Sequence, residues 1–274
     1  MSSPAVGKRV GPVVIKVGGT MVEDLSTAPA LWKSIAELHA SNASGVVLLH
    51  GGGKAVDRHL DRLGMTTIRK EGIRVTPPEQ LDEIVGVLGG RINKGIVAQL
   101  LAVGARAVGL CLGDGNAIPT AKTTRYSFDP GRVGEVDESA STRDPNLLKV
   151  LLEEKFLPVL SSIGIDPEGF LNVNADDAAA GVARVLGASA LVLMTDVPGI
   201  LDGKKALVPE IDEAGIVRLI ASGEISGGMI VKARAASQTA IKIQAPVVIL
   251  SGAGPAALQA WCRGEPSGTR VLPC

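Results

Sequence analysis

The chain has 274 residues, with 28 Lys and Arg against 28 Asp and Glu, a formal net charge of zero, 46% apolar residues and only six aromatic ones. A chain this apolar and this balanced is not disordered by composition. It lacks both the basic excess and the aromatic platforms on which nucleic-acid binding depends.

VVIKV at 13–17 predicts a first buried strand, and the spacing of Leu31, Ile35 and Leu38 predicts a helix over 31–40. VVLL at 46–49 is a second strand, followed by a glycine run and the helical stretch AVDRHLDRL. Residues 65–75 read as a small hairpin, and Pro77 opens a long helical stretch that reaches Gly104. AVGLCL at 107–112 is a strand, and the polar, turn-rich segment 120–141 reads as one or two hairpins projecting from the sheet. LLKVLLEEK is helical, LPVLSSI at 157–163 a strand, DDAAAGVARVLG a helix and ALVLM at 190–194 a strand. A helix over 228–243 and the strand VVIL at 247–250 follow. The strands are rich in Val, Leu and Ile without alternation, as strands covered on both faces are. Strand and helix in series predict right-handed crossovers and an open α/β sheet. The longest nearly apolar stretch, 178–194, carries Arg184 and is shorter than the roughly 20 residues of a spanning helix. The N-terminal residues lack the apolar core of a signal peptide. Cys111, Cys262 and Cys274 form neither a CxxC pair nor a disulfide framework, so a cytoplasmic location is expected.

Candidate functional residues stand where strands end. Lys16 lies inside an apolar strand, where an ionised amine needs a negative partner or a route to solvent. Gly18 and Gly19 follow it and let backbone approach a ligand. His50-Gly51-Gly52-Gly53 joins a strand to a helix, an arrangement that exposes N–H groups to an anion. It matches neither GxxxxGK[ST] nor GxGxxG, and His50 reads as a turn residue. Ligands of open sheets bind beyond the carboxyl ends of the strands, so the two glycine turns should share one edge. Arg74 can hold a carboxylate bidentately or cap a hairpin end. In NVNADDAAA, Asn174 suits an N-cap and Asp176 a first helical turn. Asn172, two residues earlier, would share a face with Asn174. Asp196 and Gly199 again follow a strand. Gly227 and Gly228 open a helix with Lys232 one turn in, where the helix dipole disfavours a cation unless a polyanion is bound.

Taken together, VVIKVGGT, LLHGGGKAVD, GIRVTPPEQLD, NKGIVAQL, GLCLGDGN, LPVLSSIGID, GFLNVNADDAA, TDVPGILDG and GGMIVKARAA resemble the amino acid kinase superfamily, and within it the N-acetylglutamate kinases. The resemblance spans nearly the whole chain. It implies an open, mainly parallel sheet sandwiched by helices in two lobes. Residues 1–186 would bind the acyl amino acid and dimerise, and 187–274 would bind ATP. It implies Lys16 and Lys232 on either side of the transferring phosphoryl group, with Asp176 holding both. Gly52, Gly53, Arg74, Asn172 and Asn174 would bind N-acetylglutamate. Gly18 and Gly19 would approach the phosphates, with Asp196, Val197, Pro198, Gly199, Ile200, Leu201, Glu224, Ile225 and Ser226 lining the nucleotide site. The implied reaction is ATP-dependent phosphorylation of the side-chain carboxylate, in arginine biosynthesis. A longer aminoadipate derivative, another N-acyl acidic amino acid and a non-catalytic ligand-sensing relative are the alternatives. Mg²⁺ would come with ATP, and no protein metal cluster is expected. The short segment before Lys16 lacks the helix that links arginine-inhibited members into hexamers, so a homodimer insensitive to arginine is expected, without nucleic-acid or membrane partners.

Overall fold

The structure, a computed structural model, describes residues 10–25, 29–137 and 145–273. The first half runs β1 (Val13–Val17), α1 (Pro29–Ser41), β2 (Val46–His50), α2 (Gly53–Arg62), β3 (Arg69–Lys70), β4 (Ile73–Arg74), α3 (Pro78–Val85), α4 (Asn93–Ala102), β5 (Ala107–Cys111), β6 (Thr120–Lys122) and β7 (Val133–Val136). Then come α5 (Asn146–Glu153), β8 (Leu157–Ser161), β9 (Ile163–Asp166), β10 (Gly169–Val173), α6 (Ala175–Val185) and β11 (Ala190–Thr195). The chain ends with β12 (Glu210–Ile211), α7 (Glu213–Ala221), α8 (Gly228–Ile243), β13 (Val247–Ser251), α9 (Ala256–Cys262) and β14 (Thr269–Val271).

Eight strands form the main sheet in the order β12-β14-β13-β11-β1-β2-β8-β5. From β13 to β5 every neighbour is parallel, and β14 runs antiparallel to β13. This is the open, mainly parallel sheet that the apolar runs predict. Side chains alternate between its faces. Val14, Val47, Leu49 and Leu191 pack with α5, α6, α7 and α8 on one side. Val13, Ile15, Leu48 and Val192 pack with α1, α2, α3, α4 and α9 on the other. Both faces are covered, which is why the strand sequences do not alternate. The expected division between 1–186 and 187–274 falls between α6 and β11, while β1 and β11 pair side by side across it.

A second sheet, β6-β7-β10-β9, and the small β3-β4 ribbon project beyond the carboxyl ends of the main strands. Arg132 staples the second sheet: its guanidinium donates to Asp166 at 2.6 Å, to Glu168 at 2.9 Å and to the Phe170 carbonyl at 3.1 Å. The expected hairpin within 120–141 is the antiparallel β6-β7 pair, built into this sheet rather than free-standing; residues 138–141 lie outside the described part. The run expected as one strand over 157–163 is divided. It leaves the main sheet after Ser161, and Ile163 pairs with Asn172 in the second. The elements α7, α9, β12 and β14 carry no expectation from the sequence.

The long helix expected after Pro77 is continuous over 78–102, but its middle, Gly86–Ile92, is π-helical. By length and composition alone it could cross a membrane. Here Ile84, Ile96 and Leu100 are fully buried, and α4 packs on β5 and β8.

Candidate active site

Lys16 sits on the face of β1 that carries Val14, and that face meets α6. Its ammonium reaches Asp176, in the first turn of α6, at 3.0 Å. Burial of an ionised lysine is thus compensated by an adjacent carboxylate. Gly18 makes room: a Cβ there would lie 3.0 Å from the Lys16 Nζ. Asn174 caps α6, its Oδ1 accepting from the N–H groups of Asp176 at 2.8 Å and Asp177 at 3.2 Å. The cap therefore sets the first turn that presents Asp176. The capping expectation for Asn174 and the shared pocket with Asn172 are both realised.

The two glycine turns meet. Gly51 N–H donates to the Val17 carbonyl at 3.3 Å, bringing the ends of β1 and β2 together. Beyond them lies a cavity of about 240 Å³ lined by Lys16, Gly18, Gly52, Gly53, Arg74, Asn172, Asn174 and Asp176. Gly52 has no room for a side chain, since a Cβ would run into Ile92 and Leu88 of the long helix. Arg74 is buried and fixed from three sides. It forms an ion pair with Asp57 at 2.6 Å and donates to Thr67 at 3.1 Å and to the Gly53 carbonyl at 2.9 Å. A guanidinium carries five N–H donors, more than these three acceptors use. Burial pushes the Asp57 carboxyl up, but Arg74 and Arg69 pull it below the ordinary carboxylate range. Asn172 donates to Thr76 Oγ1 at 2.9 Å.

The same cavity has walls that the sequence reading did not name: Arg69, Arg125, Tyr126 and Ser162. Arg125 bridges Glu135 at 2.6 Å and Asp177 at 2.8 Å, tying the second sheet to α6. Tyr126 packs on Phe128 with ring centroids 5.5 Å apart, and Lys70 lies over the Phe128 ring at 5.2 Å. The β3-β4 ribbon and the β6-β7 connection thus close on each other at the cavity wall. The one usable signal was their composition, which places two of the six aromatics within three residues of a polar segment.

Lys232, in the first turns of α8, shares a second cavity of about 170 Å³ with Lys16 and Asp176. The two lysines, far apart in sequence, therefore face one space. Asp176 contacts Lys16, whereas Lys232 is held by Asp196 at 2.8 Å and Thr195 at 3.4 Å. The Lys232 ammonium, with the Thr195 hydroxyl, holds the exposed Asp196 carboxyl down at about 2. Downstream, Gly203 N–H donates to Glu224 Oε2 at 3.2 Å, which brings 196–203 beside 224–226. Ile200 and Ile225 are buried in the core, and the Ile200 N–H donates to Thr269 Oγ1 at 2.7 Å while its carbonyl accepts from the Val208 N–H at 2.9 Å. Val197 is half-buried, and Pro198 and Ser226 are exposed. Among the described residues no group of three or more His, Cys, Asp or Glu stands together as a metal-ligand set.

Residues 11–251 match the amino acid kinase family. The chain belongs to the amino acid kinase family. Among curated relatives of this kinase, the acetylglutamate kinase of Proteus mirabilis (strain HI4320) is 39% identical over 262 residues, covering 95% of this chain and 99% of that protein. That of Aeromonas salmonicida (strain A449) is 41% identical over 260 residues, covering 94% and 97%. Among solved structures, the carbamate kinase from Giardia lamblia bound to AMP-PNP superposes on this kinase with a TM-score of 0.66 at 18% identity, covering 96% of this chain and 99% of that one. At that identity the likeness speaks for the fold.

Proposed function

We propose that the chain is an ATP-dependent acetylglutamate kinase, which phosphorylates the side-chain carboxylate of N-acetyl-L-glutamate to the 5-phosphate in arginine biosynthesis. The observation that carries the reading is the convergence of Lys16, Gly52, Gly53, Arg74, Asn172 and Asn174 on one cavity. Relatives near 40% identity over almost the full length support the substrate. In this reading residues 1–186 bind the acyl amino acid and residues 187–274 bind ATP, in a cytoplasmic homodimer.

The acceptor is a carboxylate, ionised at neutral pH. It needs no general base, and no histidine lines the cavity. The obstacle is the approach of one anion to another. Lys16 and Lys232 line one space, so their charge falls on the oxygens of the phosphoryl group in flight. Asp176 orients Lys16 and Asp196 orients Lys232. Arg74 holds the α-carboxylate, and Asn172 and Asn174 bind the rest of the acceptor. The N–H groups at the start of α2 receive the attacking carboxylate, whose oxygen bonds to the γ-phosphorus as the bond to ADP breaks. Gly18 and Gly19 approach the phosphates. Asp196, Val197, Pro198, Gly199 and Leu201, with Glu224 and Ser226, line the nucleotide, and the buried Ile200 and Ile225 support that wall from the core. Asp176 and Asp196 are engaged by lysines, so Mg²⁺ would arrive with ATP, held mainly by its phosphates and water, and would supply neutralisation of phosphate charge.

A coupled ADP-release assay with N-acetylglutamate, N-acetylaminoadipate and free glutamate tests the reading. The highest kcat/KM is expected with N-acetylglutamate. One methylene is worth about 1–3 kcal/mol in such a pocket. A preference for N-acetylaminoadipate would reassign the substrate, and no turnover with any of the three would point to a ligand-sensing relative.

A further inference from the structure

His50 ends β2 directly before the glycine turn, and its ring is wholly buried. Burial holds it neutral, with its pKa pushed down to about 4. Both ring nitrogens are engaged. Nδ1 lies 3.0 Å from the Gly51 carbonyl, and Nε2 lies 3.1 Å from Nδ2 of Asn93. A carbonyl oxygen only accepts, so Nδ1 carries the proton and Nε2 is the acceptor. Asn93 gives the same answer independently. Its Nδ2 also lies 2.9 Å from the Val159 carbonyl, so the amide nitrogen faces that side and donates to both. One tautomer and one amide orientation satisfy the whole relay.

Two features of the fold place Asn93 there. It follows the π-helical stretch of the long helix. The wider turn shifts every later side chain around the axis. It brings Leu88 and Ile92 against Gly52, and Asn93 against His50. Such π-helical segments occur preferentially at functional sites. The second feature is Gly109 on β5: a Cβ there would run into Asn93 Oδ1. That oxygen is buried without a hydrogen-bond partner. An orphaned buried acceptor is costly, and here the donor side of Asn93, bonded to His50 and the Val159 carbonyl, offsets it.

We propose that His50 and Asn93 are a buried positioning pair for phosphoryl transfer, which acts through the Gly51 carbonyl to fix the peptide planes of the glycine turn against the acceptor. Gly51 N–H is tied to the Val17 carbonyl, so the peptide planes on both sides of Gly51 are each held by one hydrogen bond. The Gly52 N–H, which shares a plane with the Gly51 carbonyl, then keeps one direction toward the acceptor carboxylate as it attacks. Preorganised donors of this kind need no rearrangement during the reaction. The inference rests on reading that turn as the acceptor's cradle.

The test uses His50→Gln, Asn93→Ala and Gly109→Ala, with kinetics, thermal unfolding and ¹⁵N NMR of the imidazoles. Gly109→Ala displaces Asn93 without altering any residue that lines the cavity. For each variant kcat/KM for N-acetylglutamate is expected to fall about 100-fold, with a raised KM for the acceptor and a KM for ATP changed by less than about twofold. Asn93→Ala combined with Gly109→Ala should be no worse than the poorer single variant, because both break the same bond. Activity falling only with the folded fraction, both Michaelis constants unchanged, would overturn the proposal; so would a silent Gly109→Ala. In the wild type at pH 6, His50 should show a protonated Nδ1 and a bare Nε2. A protonated Nε2 would overturn the pair whatever the substrate proves to be. Failure of the wild type to phosphorylate N-acetylglutamate would instead sink the substrate reading.

Discussion

The two halves of the site are built differently. In the half proposed to bind the acceptor, the two central cations are buried and partnered in place: the Arg74 side chain is 6% exposed and that of Lys16 17%. In the nucleotide half the charges lie open: Lys232 is 43% exposed and Asp196 85%. A buried guanidinium held by Asp57, Thr67 and the Gly53 carbonyl cannot leave without orphaning its partners. A surface ion pair is worth about 0–1 kcal/mol, so Lys232 can exchange Asp196 for a phosphate at little cost. One half is fixed by the fold, and the other is a surface whose charges can be redirected. Mutations should therefore affect folding and catalysis together in the first half and separately in the second.

Lys232→Ala is the sharpest break. It should lower kcat by about 1,000-fold while the melting temperature stays put, because the side chain is exposed. Unchanged turnover would refute its role.

Acidification should act on the acceptor half next. His50 is neutral down to about pH 4 when folded, whereas an unfolded imidazole takes its proton near 6.5. Its contribution to stability is complete above about pH 6.5 and is lost as pH falls toward 4, by up to about 3 kcal/mol. His39, also lowered mainly by burial, adds in the same direction. Urea unfolding at pH 7.5 and pH 5 should show the loss, and His50→Gln should reduce it.

Arg74→Lys keeps the charge but not the fork. It should destabilise by about 2 kcal/mol and raise the acceptor KM, with the KM for ATP unchanged. A stability loss without a KM effect would make Arg74 structural.

Asn174→Ala removes the cap of α6 and should cost about 1 kcal/mol, with a modest fall in kcat as the turn bearing Asp176 loosens. Asp196→Asn should change stability least, within about 0.5 kcal/mol, as expected of an exposed pair. A larger loss there would erase the contrast between the halves.

The same contrast explains what the sequence discloses. The strands that carry Lys16 and the HGGG turn are continuous apolar runs, readable without a partner. Asn174 and Asp176 follow local capping rules. By contrast, Arg125 and Tyr126 reach the cavity only through the pairing of β7 with β10, strands more than 30 residues apart. Nothing local marks that pairing. The π-helical stretch was hidden because glycines at 86, 89 and 90 blur the helical period. Lys232 meets Asp196 rather than Asp176 because partner choice among exposed charges is decided by tertiary distance, which spacing does not encode. The helix α9 is short, with one buried residue, and gives no periodic signal.

The central claim is transfer of the γ-phosphoryl group to a carboxylate held in the cavity that Lys16, Arg74 and Asn172 line. Its most direct test is trapping the product with hydroxylamine, which converts an acyl phosphate to a hydroxamate, while ADP release is followed in parallel. With ATP, Mg²⁺ and N-acetylglutamate, hydroxamate and ADP should appear in equal amounts, and neither should form without the acceptor. ADP release without hydroxamate would mean that the phosphoryl group goes elsewhere, and would contradict the account.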